Sequence, residues 1–443
     1  MPTLKRAAFL GLDGVPYTLV TDLIKRGVMP NLAAIVAGGA LMKMETAMPE
    51  VSSVAWTSFM TGVNPGRHGI YGFMELKPGG YGMYFPNYGH MKADTLWDRL
   101  GGLGGRSVVI NLPSTYPARP LNGMMTAGFV ALDLKKATYP DSAYQYLSGI
   151  GYKIDVDTVK ARESLDFLIS DLKAALDTRK EAILHFLEHD DWELFIGVIT
   201  ETDRLHHFLW KAYMDSADGH HGFFLEFYRE LDSFIGEFAG RLDKRYPGTP
   251  LMLMSDHGFT YAEHQVYINH WLRENGFQKL DKTPAGSFED IASGTRAFAL
   301  DPSRVYIHVK DKYPRGTVNP GSEYDRVIAE LKAGLLSLEI EGRPVIKSVH
   351  TKGELYSGPE SGRAPDLVLL SNYGFDLKGA VSKEMLHDKG PLTGMHTQDD
   401  AMLVLSGDCG TKGISGTPTI LDAAATLSRL LGLPTGDMEG RPL

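Results

Sequence analysis

The sequence predicts an α/β fold with a doubly wound, mostly parallel sheet sandwiched between helices. Two observations predict it: short apolar runs, and helical patterns between those runs. The runs are nearly continuous in apolar residues rather than alternating, which is typical of strands covered on both faces. Strands and helices that alternate along a chain favour a parallel sheet. A chain of 443 residues, 43% of them hydrophobic, is long enough to bury a large core.

The apolar runs are the predicted strands. The first, residues 7–12, is a strand rather than a secretory signal, because Asp13 interrupts it before the ~7–15 apolar residues that a signal needs. The glycine-rich stretch 101–105 precedes a strand and is therefore interpreted as a helix-to-strand turn, not a dinucleotide-binding loop. The remaining predicted strands are residues 107–111, 194–200, 251–255, 304–309, 366–370 and 401–406.

Three segments carry apolar residues at helical spacing: residues 163–188, 322–338 and 417–431. The last is predicted to begin with Thr417 as N-cap and a proline at the first helical position. The periodicity is lost near residues 281–300. We therefore expect residues 1–285 and 386–443 to form the core, and residues 286–385 to form a small α+β insertion or cap.

Composition and charge exclude several classes of protein. The net charge of −9 argues against a protein that coats nucleic acid. The single cysteine, Cys409, allows neither an intrachain disulfide nor a Cys-rich zinc module, and it suits a reducing compartment. No segment approaches the ~18–20 apolar residues of a membrane span. We expect a cytoplasmic protein that binds no nucleic acid; its oligomeric state does not follow from the sequence.

Acidic and histidine side chains accompany four predicted strands. They are Asp13, Asp203 with His207, Asp256 with His257, and His396. Each has an ordinary structural interpretation, such as a turn aspartate or a buried histidine. Carboxyl ends of parallel strands meet at one sheet edge, however, and the spacing of Asp203 and His207 puts both on one helix face. Together they suffice for two divalent ions, a pair that stabilises the attacking and leaving oxygens of phosphoryl transfer.

A serine pair, Ser52 and Ser53, precedes an apolar helical run. The structural interpretation is an N-cap pair. The functional interpretation uses the free N–H groups and the positive end of the helix to hold a phosphate. A serine oxygen beside a divalent ion is then a nucleophile.

The order of these motifs resembles the alkaline phosphatase superfamily, over nearly the whole chain. The motifs are Leu-Asp-Gly at residues 12–14, a serine, Thr-Gly-x-x-Pro-x-x-His-Gly-Ile at 61–70, Asp-x-x-x-His at 203–207, Ser-Asp-His-Gly at 255–258 and a late histidine. The branch they most resemble is the type I phosphodiesterase/nucleotide pyrophosphatase group. Residues 54–70 resemble uncharacterised bacterial and archaeal proteins of that branch, described as predicted phosphohydrolases or phosphomutases, and residues 437–443 resemble the superfamily's ending.

The resemblance implies an alkaline phosphatase-like fold with two divalent metal ions, zinc or manganese. It implies one metal site made by Asp203, His207 and His396. It implies a second made by Asp13, Asp256, His257 and the nucleophile oxygen. The nucleophile stands nine residues before the Thr of Thr-Gly in this group, which points to Ser52, with Ser53 as the alternative.

One departure from the family pattern concerns the phosphate clamp. Nucleotide pyrophosphatases carry an asparagine soon after His-Gly-Ile that holds a phosphoryl oxygen, and Phe73 stands at that position here. Asn111, at the end of a predicted strand, is a candidate substitute, with a purely structural role as the alternative. His68 also matches a family position and is interpreted as structural.

The sequence therefore predicts a two-metal phosphohydrolase, most favourably a phosphodiesterase or nucleotide pyrophosphatase, that acts on a small phosphate ester through a phosphoserine. A phosphomonoesterase or phosphomutase with the same metals is the alternative. An alternative of another class is a non-catalytic, metal-stabilised binding protein. Sulfatase activity is disfavoured because Cys409 lies far from the serine segment. Residues 74–95 and the insertion are expected to shape the pocket.

Overall fold

The computed structural model describes residues 4–407 and 416–443, so Cys409 lies outside the described residues. The strands are β1 (Ala7–Leu12), β2 (Gly39–Met44), β3 (Glu75–Leu76), β4 (Met83–Tyr84), β5 (Ser107–Leu112), β6 (Gly123–Ala127), β7 (Thr138–Tyr139), β8 (Leu194–Ile199), β9 (Leu251–Met254), β10 (Gly258–Tyr261), β11 (His264–Tyr267), β12 (Ala297–Leu300), β13 (Arg304–Ile307), β14 (Glu339–Ile340), β15 (Arg343–Pro344), β16 (Ile346–Thr351), β17 (Leu367–Ser371), β18 (Phe375–Lys378), β19 (His387–Asp388), β20 (Gly394–Thr397) and β21 (Ala401–Ser406).

The helices connect these strands and cover the sheet. They are α1 (Tyr17–Lys25), α2 (Pro30–Ala37), α3 (Ser52–Thr61), α4 (Pro65–His68), α5 (Leu96–Gly102), α6 (Leu134–Ala137), α7 (Asp141–Gly149), α8 (Thr158–Glu163), α9 (Leu165–His189), α10 (Glu201–Met214), α11 (His221–Arg245), α12 (Ile268–Glu274), α13 (Ser322–Leu336), α14 (Lys352–Leu355) and α15 (Ile420–Leu430).

An eight-stranded sheet in the order β2-β21-β9-β1-β8-β5-β6-β7 forms the centre. The five strands from β9 to β6 run parallel to one another. Strands β21 and β7 run in the opposite direction, and β2 pairs antiparallel with β21. The prediction of a doubly wound, mostly parallel sheet is therefore confirmed. Three neighbouring strands, β9, β1 and β8, end at the same edge, and this edge positions the candidate site.

Strand β1 shows why its sequence is continuously apolar. Phe9 faces a hydrophobic core with α3 and α15, and it stacks on Phe59 with ring centroids 4.5 Å apart. Leu10, the next residue, faces the opposite core, formed with helices that include α9 and α11. Successive strand side chains point to opposite faces. Both faces of this strand are buried, so neither set of positions is polar.

A second, smaller sheet is formed by residues that lie between β9 and β21 in the sequence. The four-stranded antiparallel sheet β12-β13-β17-β16 packs against α13. The same hydrophobic cluster contains Val266 and Trp271, from β11 and α12. This is the small α+β content expected for the insertion; its boundaries at residues 286 and 385 stay a prediction.

The start of the last helix differs from the prediction. Thr417 and the following proline lie outside the helix, and α15 begins at Ile420. Thr419 is the N-cap instead: its hydroxyl accepts from the Asp422 amide, and the Asp422 carboxylate accepts from the Thr419 amide. This reciprocal pair satisfies two backbone donors at once, whereas Thr417 with proline offers one cap. The glycine-rich turn between α5 and β5 is found as expected.

No helix in the described parts of the chain combines the length and the apolar character needed to span a bilayer.

Candidate active site and metal centre

The sheet edge where β1, β8 and β9 end brings the predicted acidic and histidine side chains together. Asp13 directly follows β1, and Asp256 and His257 follow β9. Asp203 lies in the first turn of α10, which begins right after β8. The His257 Nε2 atom lies 3.7 Å from Asp13 Oδ1, 3.4 Å from Asp256 Oδ2 and 4.0 Å from Asp203 Oδ1.

An antiparallel pairing of two strands that are distant in the chain brings His396 to the same place. Strand β20 pairs antiparallel with β10, so that His396 lies opposite Phe259. The His396 ring then stacks on the His257 ring with centroids 3.6 Å apart. Its Nε2 atom lies 3.2 Å from Asp203 Oδ1 and 3.1 Å from His207 Nε2. His207 Nε2 in turn lies 3.4 Å from Asp203 Oδ1, because the two residues share one face of α10.

Ser52, the first residue of α3, faces this cluster. Its Oγ lies 3.1 Å from His257 Nε2 and donates to Asp13 Oδ1 over 3.3 Å. Val51 is the N-cap and supplies no side-chain hydrogen bond, so neither serine caps the helix. The Ser53 hydroxyl is buried and has no hydrogen-bond partner among the described residues. Of the two serines, Ser52 is the one that contacts the cluster.

The three histidines present the same nitrogen to the centre. Each Nδ1 donates to a backbone carbonyl: His207 to Gly394, His257 to Gly258, and His396 to Glu50. Each Nε2 therefore turns its lone pair inward when the ring is neutral. This use of one ring nitrogen to fix the other is typical of histidines that bind metals.

Each carboxylate likewise uses one oxygen for a hydrogen bond within the protein. One oxygen of each is held by an N–H group: Asp13 Oδ2 by the Trp56 indole, Asp256 Oδ1 by the Gly14 amide and Asp203 Oδ2 by the Arg204 guanidinium. The inner oxygens Asp203 Oδ1 and Asp256 Oδ2 are buried without a hydrogen-bond partner among the described residues. Unpaired buried carboxylate oxygens are costly unless a cation faces them.

Two groups of these residues are close enough to hold an ion each. One consists of Asp203, His207 and His396, and the other of Asp13, Asp203 and His257. Asp203 belongs to both. Carboxylate oxygen and imidazole nitrogen are ligands that zinc and other divalent transition metals accept. The donor set, the inward lone pairs and the unpaired oxygens all fit divalent metal ions at this edge.

Burial controls the protonation of the cluster when no metal is bound. Burial lowers the pKa of His207 to about 4 and of His257 to about 3, so both rings are neutral at pH 7. Burial, with help from Asp203, raises the pKa of Asp256 to about 6, and burial with the neighbouring carboxylates raises that of Asp13 well above its usual range. Lone pairs and negative charge thus converge on one point, an arrangement that a divalent cation relieves.

Asp203 behaves differently from the other two carboxyls. Burial would raise its pKa, but His207, His396 and Arg204 together hold it well below the usual range. Burial likewise would lower the pKa of His396, yet the Asp203 carboxylate raises it overall. Asp203 is therefore the carboxylate that stays ionised at the centre of the cluster.

Sequence reasoning missed the side chains that hold the ligands. Arg204 bridges Asp203 to Asp155, which accepts from its Nε and Nη2 at 3.0 and 2.7 Å. Trp56 lies about one turn after Ser52 on α3. The position of Arg204 directly after a candidate ligand was the only sequence signal for either contact.

Asn111, the candidate phosphate clamp, is fully buried with a φ of 62°. Its Nδ2 donates to Val198 O at 3.0 Å and to Thr200 Oγ1 at 3.1 Å. The donors that a clamp needs are thus engaged within the protein, and the clamp role stays a prediction. Phe73, at the family's asparagine position, packs edge-on against Phe129 with centroids 5.2 Å apart.

A cavity of about 280 Å³ opens beside His207 and His396. Glu50 and Phe73 line it from the core, and Ser303, Asp376 and Lys378 line it from the opposite side. The insertion therefore contributes to a pocket at the candidate site.

Solved structures resemble the whole chain at low sequence identity. Phosphonoacetate hydrolase from Sinorhizobium meliloti 1021, in complex with phosphonoformate, matches with a TM-score of 0.64 and 16% identity over 97% of this chain and 96% of that one. Murine ectonucleotide pyrophosphatase/phosphodiesterase 5, an inactive form in complex with AMP, matches with 0.59 and 13% over 98% and 97%. The human protein of the same name matches with 0.58 and 14% over 98% and 97%. These likenesses show a shared fold.

A comparison with curated proteins finds no match. A family model described as Type I phosphodiesterase / nucleotide pyrophosphatase matches residues 7–399, which is most of the chain and includes every candidate metal ligand. This match agrees with the motif order and with the resemblance to the alkaline phosphatase superfamily. The chain belongs to the type I phosphodiesterase / nucleotide pyrophosphatase family of phosphoric ester hydrolases.

Proposed function

We propose that this protein is a two-metal phosphohydrolase that cleaves a small phosphate ester, most favourably a diester, through a phosphorylated Ser52. One observation carries the proposal. The Ser52 hydroxyl lies at the start of a helix, 3.1 Å from His257 Nε2 and 3.3 Å from Asp13 Oδ1, beside two groups of residues able to hold a metal ion.

The chain's own residues account for nucleophile positioning and phosphate binding. Ser52 is held by its place in helix α3, whose residues are all buried. The free N–H groups at the start of this helix point at an anion bound there, and the helix dipole favours the negative charge. Divalent ions in the two groups would supply Lewis-acid charge and lower the pKa of the nucleophile.

The reaction has two displacements at phosphorus. The Ser52 oxygen forms a bond to phosphorus while the bond to the departing alcohol breaks on the opposite side. The Ser52 proton passes to solvent, and the alcohol takes up a proton as it leaves. Water then attacks the phosphoserine and releases the phosphoryl group, which restores the serine hydroxyl.

Zinc is the metal we favour, since both groups combine carboxylate with imidazole; manganese is the alternative. The ligands named for similar solved structures, AMP and phosphonoformate, support a small phosphorus-containing substrate for this chain. We further propose a cytoplasmic location and no nucleic-acid partner, on the charge and the single cysteine.

The test compares hydrolysis of p-nitrophenyl phosphate and bis-p-nitrophenyl phosphate with added zinc or manganese. Ser52→Ala should lose turnover by at least about four orders of magnitude, as expected for a nucleophile. Ser53→Ala, the matched control one residue away, should keep turnover within a few-fold. Equal activity of wild type and Ser52→Ala would contradict the proposal.

The same assay separates the alternatives. Faster hydrolysis of the diester supports a phosphodiesterase. A preference for the monoester favours a phosphatase or mutase, and Phe73 in place of the family's asparagine is the residue that would explain it. Two bound metals with no turnover of either ester would favour a non-catalytic binding protein.

A further inference from the structure

The cavity beside the candidate metal groups contains polar atoms without partners. Glu50 and Ser303 line it, and the Glu50 Oε2 and Ser303 Oγ atoms are buried and form no hydrogen bond within the described chain. Glu50 is 9% exposed and Ser303 is 4% exposed. A buried polar group that lacks a partner costs stability unless a ligand or water satisfies it. Two such groups from separate parts of the fold, on one cavity, indicate a binding site.

The charge around the cavity argues against an anionic ligand group. Lys378 is the one lysine in the lining, and its Nζ already pairs with Asp376 at 2.7 Å. Burial alone would lower the pKa of Lys378, but Asp376 and Asp301 favour the charged form of the lysine and raise its pKa overall. The two aspartates alone outnumber this one ammonium, and Glu50, whose pKa burial raises to about 7, adds a third carboxyl group to the lining. A carboxylate or second phosphate on the ligand would face net negative charge there.

The cavity borders the group of Asp203, His207 and His396, although Glu50 and Val51, which precede Ser52 in the chain, also line it. His207 and His396 line it, whereas Ser52 reaches the cluster at His257 and Asp13. The attacking and leaving oxygens of phosphoryl transfer lie roughly in line on opposite sides of phosphorus. A group bound in the cavity would therefore be joined to the leaving oxygen.

The remaining lining gives the size and character of that group. Phe73, Leu377 and Met395 offer an apolar wall. A volume of about 280 Å³ lies just below the ~300–1,000 Å³ range of ligand pockets, which suits a small group. The cavity thus combines a wall for C–H groups with carboxylate and hydroxyl oxygens for O–H groups.

We propose that this cavity binds the departing alcohol of the substrate, and that the alcohol is an uncharged, polyhydroxylated group of sugar size. Glu50 Oε2 accepts a hydrogen bond from one hydroxyl, and Ser303 Oγ pairs with another. Phe73 packs against the C–H face. The assignment rests on the proposed phosphohydrolase function, because it takes the transferred group to be phosphoryl.

The experiment measures binding by calorimetry to the Ser52→Ala protein with added zinc, so that no turnover is needed. The probes are glucose 6-phosphate, phenyl phosphate, 3-phosphoglycerate and phosphoethanolamine. Glucose 6-phosphate should bind at least about tenfold more tightly than each of the others, since one hydrogen bond to a charged group contributes about that factor. Tightest binding of the phenyl, carboxylate or amine probe, or equal binding of all four, would overturn the proposal.

Two variants locate the effect in the cavity. Glu50→Gln and Ser303→Ala, each added to Ser52→Ala, should reduce the preference for glucose 6-phosphate over phenyl phosphate by about tenfold and about threefold, respectively. Ser170→Ala is the matched control, because that hydroxyl is exposed and donates to Phe167 O of its own helix. If either cavity variant fails to fold, the other still decides. An unchanged preference in a folded cavity variant would overturn the proposal.

Failure of this inference is distinguishable from failure of the proposed function. Hydrolysis of p-nitrophenyl esters that depends on Ser52, combined with equal binding of the four probes, would overturn the cavity assignment alone. A glucose 6-phosphate preference in a protein that hydrolyses no ester would overturn the proposed reaction and leave the binding site supported.

Discussion

Trp56→Phe tests whether the hydrogen bonds behind the carboxylates support the metal centre. The Trp56 Nε1–H donates to Asp13 Oδ2 at 3.1 Å, and both side chains are buried. A phenyl ring keeps packing against the neighbouring Phe9 and Phe59 but removes the donor. A hydrogen bond to a charged group contributes about 1.5–3 kcal/mol, which corresponds to roughly 10–150-fold in affinity. Loss of partners of this kind typically weakens metal binding by about 10–100-fold.

The assay is zinc affinity measured by competition with a chromogenic chelator. Trp192→Phe is the matched control, because the Trp192 indole is buried and has no hydrogen-bond partner in the described chain. It lies two residues before β8, at the edge of the sheet opposite the candidate site. We expect affinity to fall by about 10–100-fold in Trp56→Phe and to stay within about twofold in Trp192→Phe. Equal affinities in the two variants would refute the reasoning.

Three further predictions concern stability. Burial lowers the pKa of His68 to about 3, so between pH 6.5 and pH 3 only the unfolded chain takes up a proton on this ring. The free energy of unfolding therefore falls as the pH falls. Between pH 8 and pH 5, the free energy of unfolding measured in urea should fall by about 2 kcal/mol less in His68→Gln than in the wild type. Arg179→Met should cost about 3–5 kcal/mol in the same assay, because it leaves Glu201 buried without its cation, and adding Glu201→Gln should recover part of the loss. Zinc at about 100 times its Kd should raise the free energy of unfolding of the wild type by about 2.7 kcal/mol. Asp203→Asn removes the ligand that both groups share, so thermal unfolding of this variant should show little of that gain. A gain equal to that of the wild type would contradict the shared role of Asp203.

The sequence predicts the central sheet well because strands buried on both faces are continuous runs of apolar residues. The strand at residues 7–12 agrees residue for residue with β1, and 401–406 agrees with β21. Strand ends are less accurate: residues 304–309 shorten to β13, since the ladder to the neighbouring strand stops at Ile307. Antiparallel pairing of β21 with β9 follows from long-range register and leaves no mark on the apolar runs.

Candidate ligands could be named from the sequence because strand ends converge at one edge. Their partners could not, because the contacts are distant in the chain. Arg204 donates to Asp155, which is 49 residues away in the chain. Glu50 O accepts from the His396 ring, which is 346 residues away. The cavity depends on Ser303 and Lys378 meeting Glu50, which only the packing of the insertion against the core determines.

The central claim is that Ser52 becomes phosphorylated during turnover. The most direct measurement is mass spectrometry of zinc-loaded protein, quenched in acid during hydrolysis of a p-nitrophenyl ester and then digested. Our account predicts that the peptide containing Ser52 and Ser53 gains a phosphoryl group, that fragmentation places it on Ser52, and that Ser52→Ala lacks it. Steady turnover with that peptide unmodified, or modification at Ser53, would contradict the account.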